Sequence, residues 1–147
     1  MVTIDLYLSF SGNCEEAFNF YKSVFGGDFS MLSRYSDMPG PENGAEEVDH
    51  AFAAADANKI MHIRLPIGQG AILIGSDRPG GEKTAVVGDV FSISITPDSE
   101  EEAIRLFNEL SAGGAVTTPL EKTFWNTFFG TLTDKFGVNW MVNYEYG

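Results

Sequence analysis

Asn13-Cys14-Glu15-Glu16-Ala17-Phe18-Asn19-Phe20-Tyr21 returns further along the chain as Ser99-Glu100-Glu101-Glu102-Ala103-Ile104-Arg105-Leu106-Phe107, an offset of 99 − 13 = 86 residues. The register persists, with Val24 falling on Leu110 and Gly27 on Gly113. Ahead of each copy lies an alternating apolar run, Ile4-Asp5-Leu6-Tyr7-Leu8-Ser9-Phe10 and Val90-Phe91-Ser92-Ile93-Ser94-Ile95-Thr96. Alternation of that kind is the period of a half-buried strand. Each half therefore begins strand then helix. A unit of this size does not usually close a core alone, so two copies are expected to share one sheet and enclose a site between them.

The remaining elements follow from turn chemistry. The first helix spans Cys14 to Phe25 and is closed by Gly26-Gly27; the second runs from Glu100 to Leu110. Asn13 with Glu16, and Ser99 with Glu102, stand at capping-box spacing, an acceptor at the cap and a carboxylate three residues on. Phe29 to Tyr35 reads as a strand, followed by a turn-rich loop from Ser36 to Asn43. Lys59 to Ile67 and Ala71 to Asp77 flank Gly68-Gln69-Gly70 as a hairpin, and the residues from Arg78 to about Gly88 link the halves. The second half repeats the plan with strands at Phe91 to Thr96, near Ala115 to Pro119, at Thr127 to Thr133 and at Val138 to Tyr144. Two βαβββ modules result, at about 1–80 and 88–147 of one 147-residue domain.

Bulk composition narrows the partners. Hydrophobic residues make up 44% of the chain and aromatic ones 13%, enough for a core. Nine basic against twenty-one acidic residues leave a formal charge of −12, which repels nucleic acid and anionic lipid. No apolar stretch approaches the roughly 20 residues of a membrane span, and the first residues lack the charged start of a signal peptide. The single cysteine, Cys14, allows no intrachain disulfide and suits a reducing compartment. A cytoplasmic protein with no nucleic-acid or membrane partner is the expectation.

Several segments together resemble a known family: Ser9-Phe10-Ser11-Gly12-Asn13-Cys14, Tyr21, Met61-His62, Ile74-Gly75-Ser76-Asp77-Arg78-Pro79-Gly80, Phe124-Trp125 and Gly130-Thr131-Leu132-Thr133-Asp134-Lys135-Phe136-Gly137-Val138-Asn139-Trp140-Met141. In paired βαβββ modules they resemble the PhnB-like branch of the vicinal oxygen chelate superfamily, home of glyoxalase I, ring-cleaving dioxygenases and bleomycin-resistance proteins. The resemblance implies an α+β fold in which two modules form a curved, cleft-enclosing mixed sheet with helices outside. It implies a function less narrowly, because one scaffold hosts many chemistries. Some PhnB-like proteins carry a methyltransferase name, yet this chain has neither a nucleotide-fold βαβ order nor a glycine-rich cofactor loop.

Metal enzymes of that superfamily draw ligands from the first and last strand of each module. Carried onto this chain, those positions are Leu6, Ile74, Ser92 and Met141. None suits a hard divalent ion, which takes carboxylate or imidazole at about 2.0 to 2.6 Å. The neighbours Tyr7, Phe91 and Trp140 serve no better. No metal and no cofactor is therefore expected.

Strand alternation puts Leu6, Leu8 and Phe10 on the cavity side of one half and Ser92, Ser94 and Thr96 on that of the other, with Asn139, Met141 and Asn143 from the final strand. A lining that mixes apolar and small polar groups suits a small organic ligand. His62 is either a sheet imidazole satisfied by hydrogen bonds or a pocket residue that contacts ligand or moves a proton. His50, Glu46, Glu47 and Asp49 read as a solvated loop. Ser76 and Asp77 either orient a polar group or open a turn before Arg78-Pro79-Gly80. Phe124-Trp125 enters the seventh strand, where Trp125 either stacks on a flat ligand at the rim or makes a hydrophobic clasp or dimer contact. Asp134-Lys135-Phe136-Gly137 reads as a hairpin turn, and Trp140 as facing a helix. Cys14 occupies a first helical turn, which favours a thiolate, but no basic residue adjoins it.

Three function classes fit. The leading one is a metal-free small-molecule binding protein, similar in logic to the bleomycin-resistance proteins. The alternative is a lyase, isomerase or oxygenase that uses a nonstandard metal or proton transfer through His62. The third is an interaction module with a vestigial cavity. Superfamily sites are often completed by pairing modules within or between chains, so a two-fold homodimer is expected.

Overall fold

The structure, a computed structural model, describes residues 5–37, 56–78 and 91–146. The chain divides into two compact units, Met1–Ala85 and Val86–Gly147. The first carries β1 (Leu6–Phe10), α1 (Cys14–Phe25), β2 (Met31–Arg34), a single 3-10 turn at Tyr35–Asp37, β3 (Ile60–Ile67) and β4 (Ala71–Asp77). The second carries β5 (Ile93–Ile95), α2 (Glu100–Ser111), β6 (Ala115–Lys122), β7 (Thr127–Thr133) and β8 (Asn139–Glu145). Both modules are βαβββ, and their four-stranded sheets share one topology, β1-β4-β3-β2 and β5-β8-β7-β6. In each, the first strand pairs parallel with the last and the other pairings are antiparallel, so both sheets are mixed. The loop readings at His50, Glu46, Glu47 and Asp49, and most of the link after Arg78, lie outside the described residues.

Each module buries one stripe of its helix against its sheet. From α1 the buried side chains are Cys14, Ala17, Phe18, Tyr21 and Val24, and from α2 they are Ala103, Leu106, Phe107 and Leu110. Spacings of three and four residues put each set on one helical face, and each large apolar side chain so buried stabilises the module by roughly 1.5 to 3 kcal/mol. Phe18 meets Phe10 and Tyr21 edge-on, at centroid distances of 6.3 and 5.7 Å. The β3–β4 turn depends on backbone freedom, since Gly68 and Gly70 have φ of 58° and 89°, angles costly for any other residue.

The two helix starts are capped differently. Ser99 accepts the N–H of Glu102 at 3.1 Å, as the spacing indicates, but Asn13 makes no side-chain cap. Asp77 takes that role: its Oδ1 accepts the N–H groups of Gly12 and Cys14, and its Oδ2 that of Ile60, all at 2.9 Å. A carboxylate supplied by the end of β4 thus replaces the local side chain. Strand β6 runs on past Pro119 to Lys122. Pro119 falls within a shift of register between Thr118 and Glu121 on an edge strand, where a missing N–H disrupts no inner ladder.

Candidate functional site

Each sheet has one face covered by its own helix and one far face turned away from it. In the first sheet Gly75 marks the covered face, because a Cβ there would stand 2.5 Å from Phe18 Cε1 and 3.2 Å from Cys14 Sγ. Leu8 and Ile63 are the ladder partners of Gly75 and share its side. By alternation Leu6, Phe10, Leu65, Leu73 and Asp77 join them.

Besides the Pro66–Ile72 pair toward the β3–β4 turn, the far face carries Tyr7 and Ser9, Ile74 and Ser76, His62 and Arg64, and Met31 and Ser33. Register arranges these side chains into two rungs across the strands. One runs Tyr7, Ile74, Arg64, Met31. The other runs Ser9, Ser76, His62, Ser33, with His62 set opposite Ser76 by extending the Ile63–Gly75 pairing one step. Apolar side chains and one guanidinium thus lie beside a row of hydroxyls and an imidazole. The Tyr7 hydroxyl donates to Ser76 Oγ at 3.0 Å and ties the rungs together. His62 and Arg64 are half-buried, and neither side chain has a hydrogen bond or ion pair among the described residues.

These positions correct the expected lining of the first module. Leu8, with Leu6 and Phe10, lies on the helix-covered face. The reason is a difference in loop length: three residues, 11–13, join β1 to α1, whereas four, 96–99, join β5 to α2. The helices are therefore offset by 100 − 14 = 86 residues but the matching strand positions by 93 − 8 = 85. A slip of one residue exchanges the faces of a strand. Tyr7 and Ser9 escape the sequence reading for that reason, whereas Ser33 and Arg64 are placed only by their ladder pairings in β2 and β3. Counting connector lengths from the last strand apolar, Phe10 or Ile95, to each helix start was the available signal.

In the second sheet Gly130 marks the covered face, where a Cβ would stand 2.7 Å from Phe107 Cε2. Its partner Val142 is on that side, as are Trp140, Leu132 and Ile93. Trp140 faces the helix as expected, and its Nε1–H donates to Asp134 Oδ2 at 2.8 Å. The far face carries Ser94 and Thr131 on either side of Met141, and Asn143 opposite Phe129. Asn139 also lies there, but its amide is engaged, accepting from Thr133 Oγ1 at 2.8 Å and donating to the Phe91 carbonyl at 3.3 Å. Ser92 precedes β5 and is exposed. Trp125 sits in the β6–β7 turn, 56% exposed and edge-on to Phe124 at 4.7 Å. Asn126 closes that turn with φ of 68°, and its carbonyl accepts the N–H of Tyr146 just past β8.

Other sequence candidates have structural roles. Asp77 is 2% exposed, and its carboxylate is engaged by the three backbone donors already described, so it does not face a ligand; the turn expected at Pro79-Gly80 lies outside the described residues. Asp134, in the predicted hairpin turn, is a second such anchor, accepting from the N–H groups of Phe136 and Val138 and from Trp140. Cys14 is buried, and burial, followed by the charges of Asp77 and Glu15, pushes its thiol far above the ordinary 9.0. The thiolate expected of a first helical turn is overruled by these two effects. Glu15 forms a two-pronged pair with Arg34, both bonds 2.9 Å, which holds its carboxyl below the ordinary 4.5. Tyr35 donates to the Asp77 carbonyl at 2.8 Å, and burial, then the neighbours Tyr7 and Asp77, raise its phenol above 10.0. It remains a donor across the neutral range.

With register corrected, the first- and last-strand positions on the far faces are Tyr7 beside Ile74 and Ser94 beside Met141. This donor set has no carboxylate, imidazole or thiolate and does not fit a divalent metal. Among the described residues no three His, Cys, Asp or Glu side chains gather closely enough to hold one. No helix among the described residues is long and apolar enough to cross a membrane.

Comparison with known proteins places the chain. The profile of the Glyoxalase/Bleomycin resistance protein/Dioxygenase superfamily matches residues 3–142. Protein YjdN of Escherichia coli K12 is 33% identical over 138 residues, covering 93% of this chain and 91% of its own. The crystal structure of PA1353 from Pseudomonas aeruginosa superposes with a TM-score of 0.82 at 41% identity, covering 99% of this chain and 98% of the other. The PhnB protein from Bacillus cereus superposes with a TM-score of 0.73 at 28% identity, covering 97% and 99%.

Proposed function

The chain belongs to the Glyoxalase/Bleomycin resistance protein/Dioxygenase superfamily as a PhnB-like member, and from that premise we propose that it is a small-molecule binding protein without the superfamily's usual metal centre. The observation that carries this reading is the far face of the first sheet. There the rung Ser9, Ser76, His62, Ser33 lies beside Tyr7, Ile74, Arg64, Met31. Convergent polar groups next to apolar side chains are what a small organic ligand needs, the apolar part for burial and the polar part for orientation. Ser94, Met141 and Asn143 give the second sheet a far face of similar character. In the second module the exposed Trp125 indole is of the kind that stacks on a flat ligand.

One observation favours a second reading, an enzyme. His62 stands opposite Ser76, whose oxygen already accepts the Tyr7 hydroxyl. An imidazole beside a Tyr–Ser pair supplies the groups of a proton relay for lyase or isomerase chemistry without metal.

A thermal-shift screen of organic compounds on the purified chain separates the two. The binding reading expects compounds that raise the melting temperature, are recovered unchanged after long incubation, and lose affinity in His62→Ala. Trp125→Ala is expected to weaken binding by roughly 1 to 3 kcal/mol while leaving the fold intact, the range for removing a large contact side chain. Consumption of a compound that stops in His62→Ala would establish the enzyme. A ligand whose affinity ignores His62→Ala would remove the site from this face. The same reading includes a two-fold homodimer, and light scattering that gives a single chain of 16.0 kDa at micromolar concentration would refute it.

A further inference from the structure

Arg64 stands apart from the other described cations. Lys22 pairs with Asp28, Arg34 with Glu15, Lys59 with Asp56, and Arg105 with Glu102 and Glu109. Lys122 and Lys135 lie over the rings of Tyr146 and Phe136, and Arg78 is exposed. Arg64 is half-buried and has no ionic or hydrogen-bonding partner among the described residues. Shortage of carboxylates is not the cause, because the chain has twenty-one acidic residues to nine basic ones.

The neighbours make the arrangement more specific. On its rung Arg64 is flanked by Ile74 and Met31, which offer it no acceptor. None of the far-face strand residues of the first sheet is acidic. Among the described residues the strands thus keep this sheet face free of acid and place there a guanidinium without a counter-charge. Partial desolvation of an unpaired cation is unfavourable, and an incoming anion relieves it. The planar guanidinium fork matches two oxygens of a carboxylate or phosphonate. His62, on the same strand face about 7 Å along the backbone, and the hydroxyls of Ser33 and Ser76 supply further donors for the same group.

We propose that the ligand of this face is a small organic anion, its carboxylate or phosphonate oxygens taken by Arg64 with His62 and the serine hydroxyls, and its apolar body laid against Ile74, Met31 and the Tyr7 ring. The inference rests on the small-molecule reading above and adds the class of ligand to it.

The test uses matched probes on the full chain. Phenylphosphonate, phenylacetate and the neutral phenylacetamide are titrated into 15N-labelled protein, and the backbone amides of β3 and β4 are followed. The two acids are expected to shift those amides and to bind at least about tenfold more tightly than the amide, as a charge-assisted pair implies. Arg64→Gln is expected to remove that preference by weakening the acids and leaving phenylacetamide unchanged, and Arg64→Lys to recover part of it. A spectrum with native dispersion shows that each variant is folded. Equal affinity for acid and amide, or acid binding indifferent to Arg64→Gln, overturns the inference while the broader binding reading stands. So does failure of either acid to move β3 or β4, in which case the compound screen alone decides the broader reading.

Discussion

The Asp77 carboxylate accepts the backbone N–H of Cys14 through one oxygen and that of Ile60 through the other, each at 2.9 Å, so the end of β4 caps α1 and fixes the start of β3. With Gly12 as a third donor, Asp77→Ala leaves three N–H groups near the core without their acceptor. Each such loss costs about 1 to 3 kcal/mol, and the expected destabilisation is about 3 kcal/mol or more. Asp77→Asn, which keeps one acceptor oxygen, is expected to fall in between. Denaturant unfolding measures both, and a change below about 1 kcal/mol for the alanine variant would contradict this role.

Cys14 is expected to be inert in the native chain. Its thiol pKa is raised by burial, and further by the charges of Asp77 and Glu15, so the proton is held more tightly folded than unfolded. The native state then binds more protons than the unfolded state once pH exceeds the ordinary thiol value of 9.0. The stability contributed by this group is complete below that value and declines as pH rises above it. A thiol reagent should label the chain in denaturant and not in buffer at neutral pH, and Cys14→Ala should lessen the alkaline loss of stability. Rapid labelling of the native chain would refute this.

Two glycines mark where strand and helix approach most closely. A Cβ on Gly75 would meet the ring of Phe18 at 2.5 Å, whereas one on Gly130 would meet Phe107 at 2.7 Å and the backbone of Leu120 at 2.8 Å. Both Gly→Ala variants overpack, at about 1 to 3 kcal/mol each. Gly130→Ala is expected to be the worse, because the backbone of a neighbouring strand yields less readily than the end of a side chain. Melting temperatures in the opposite order would contradict that reasoning.

Much of this architecture is legible from local patterns. The predicted bounds of α1, β4 and β7 coincide with the observed ones, because Gly26-Gly27, Gly68-Gln69-Gly70 and the alternating runs are strong local signals. The Ser99 cap is equally local. What escaped depends on partners distant in sequence. Asn13 looks like a cap, but Asp77, 77 − 13 = 64 residues later, supplies the acceptor. The site suffered more, since β1 reaches α1 through one residue fewer than β5 reaches α2, and an alignment made on the helices then puts Leu8 in place of Tyr7 and Ser9 on the far face. Arg64 carried no signal of its own until the ladder placed it between Ile74 and Met31.

The central claim, a ligand site that works without the superfamily's metal, is tested most directly by elemental analysis of the chain purified without chelator. Tyr7 beside Ile74 and Ser94 beside Met141 hold no ligand for a hard divalent ion, so zinc, nickel, iron and manganese are each expected well below one atom per chain. About one such atom per chain, lost when Tyr7, His62 or Met141 is replaced by alanine, would contradict it.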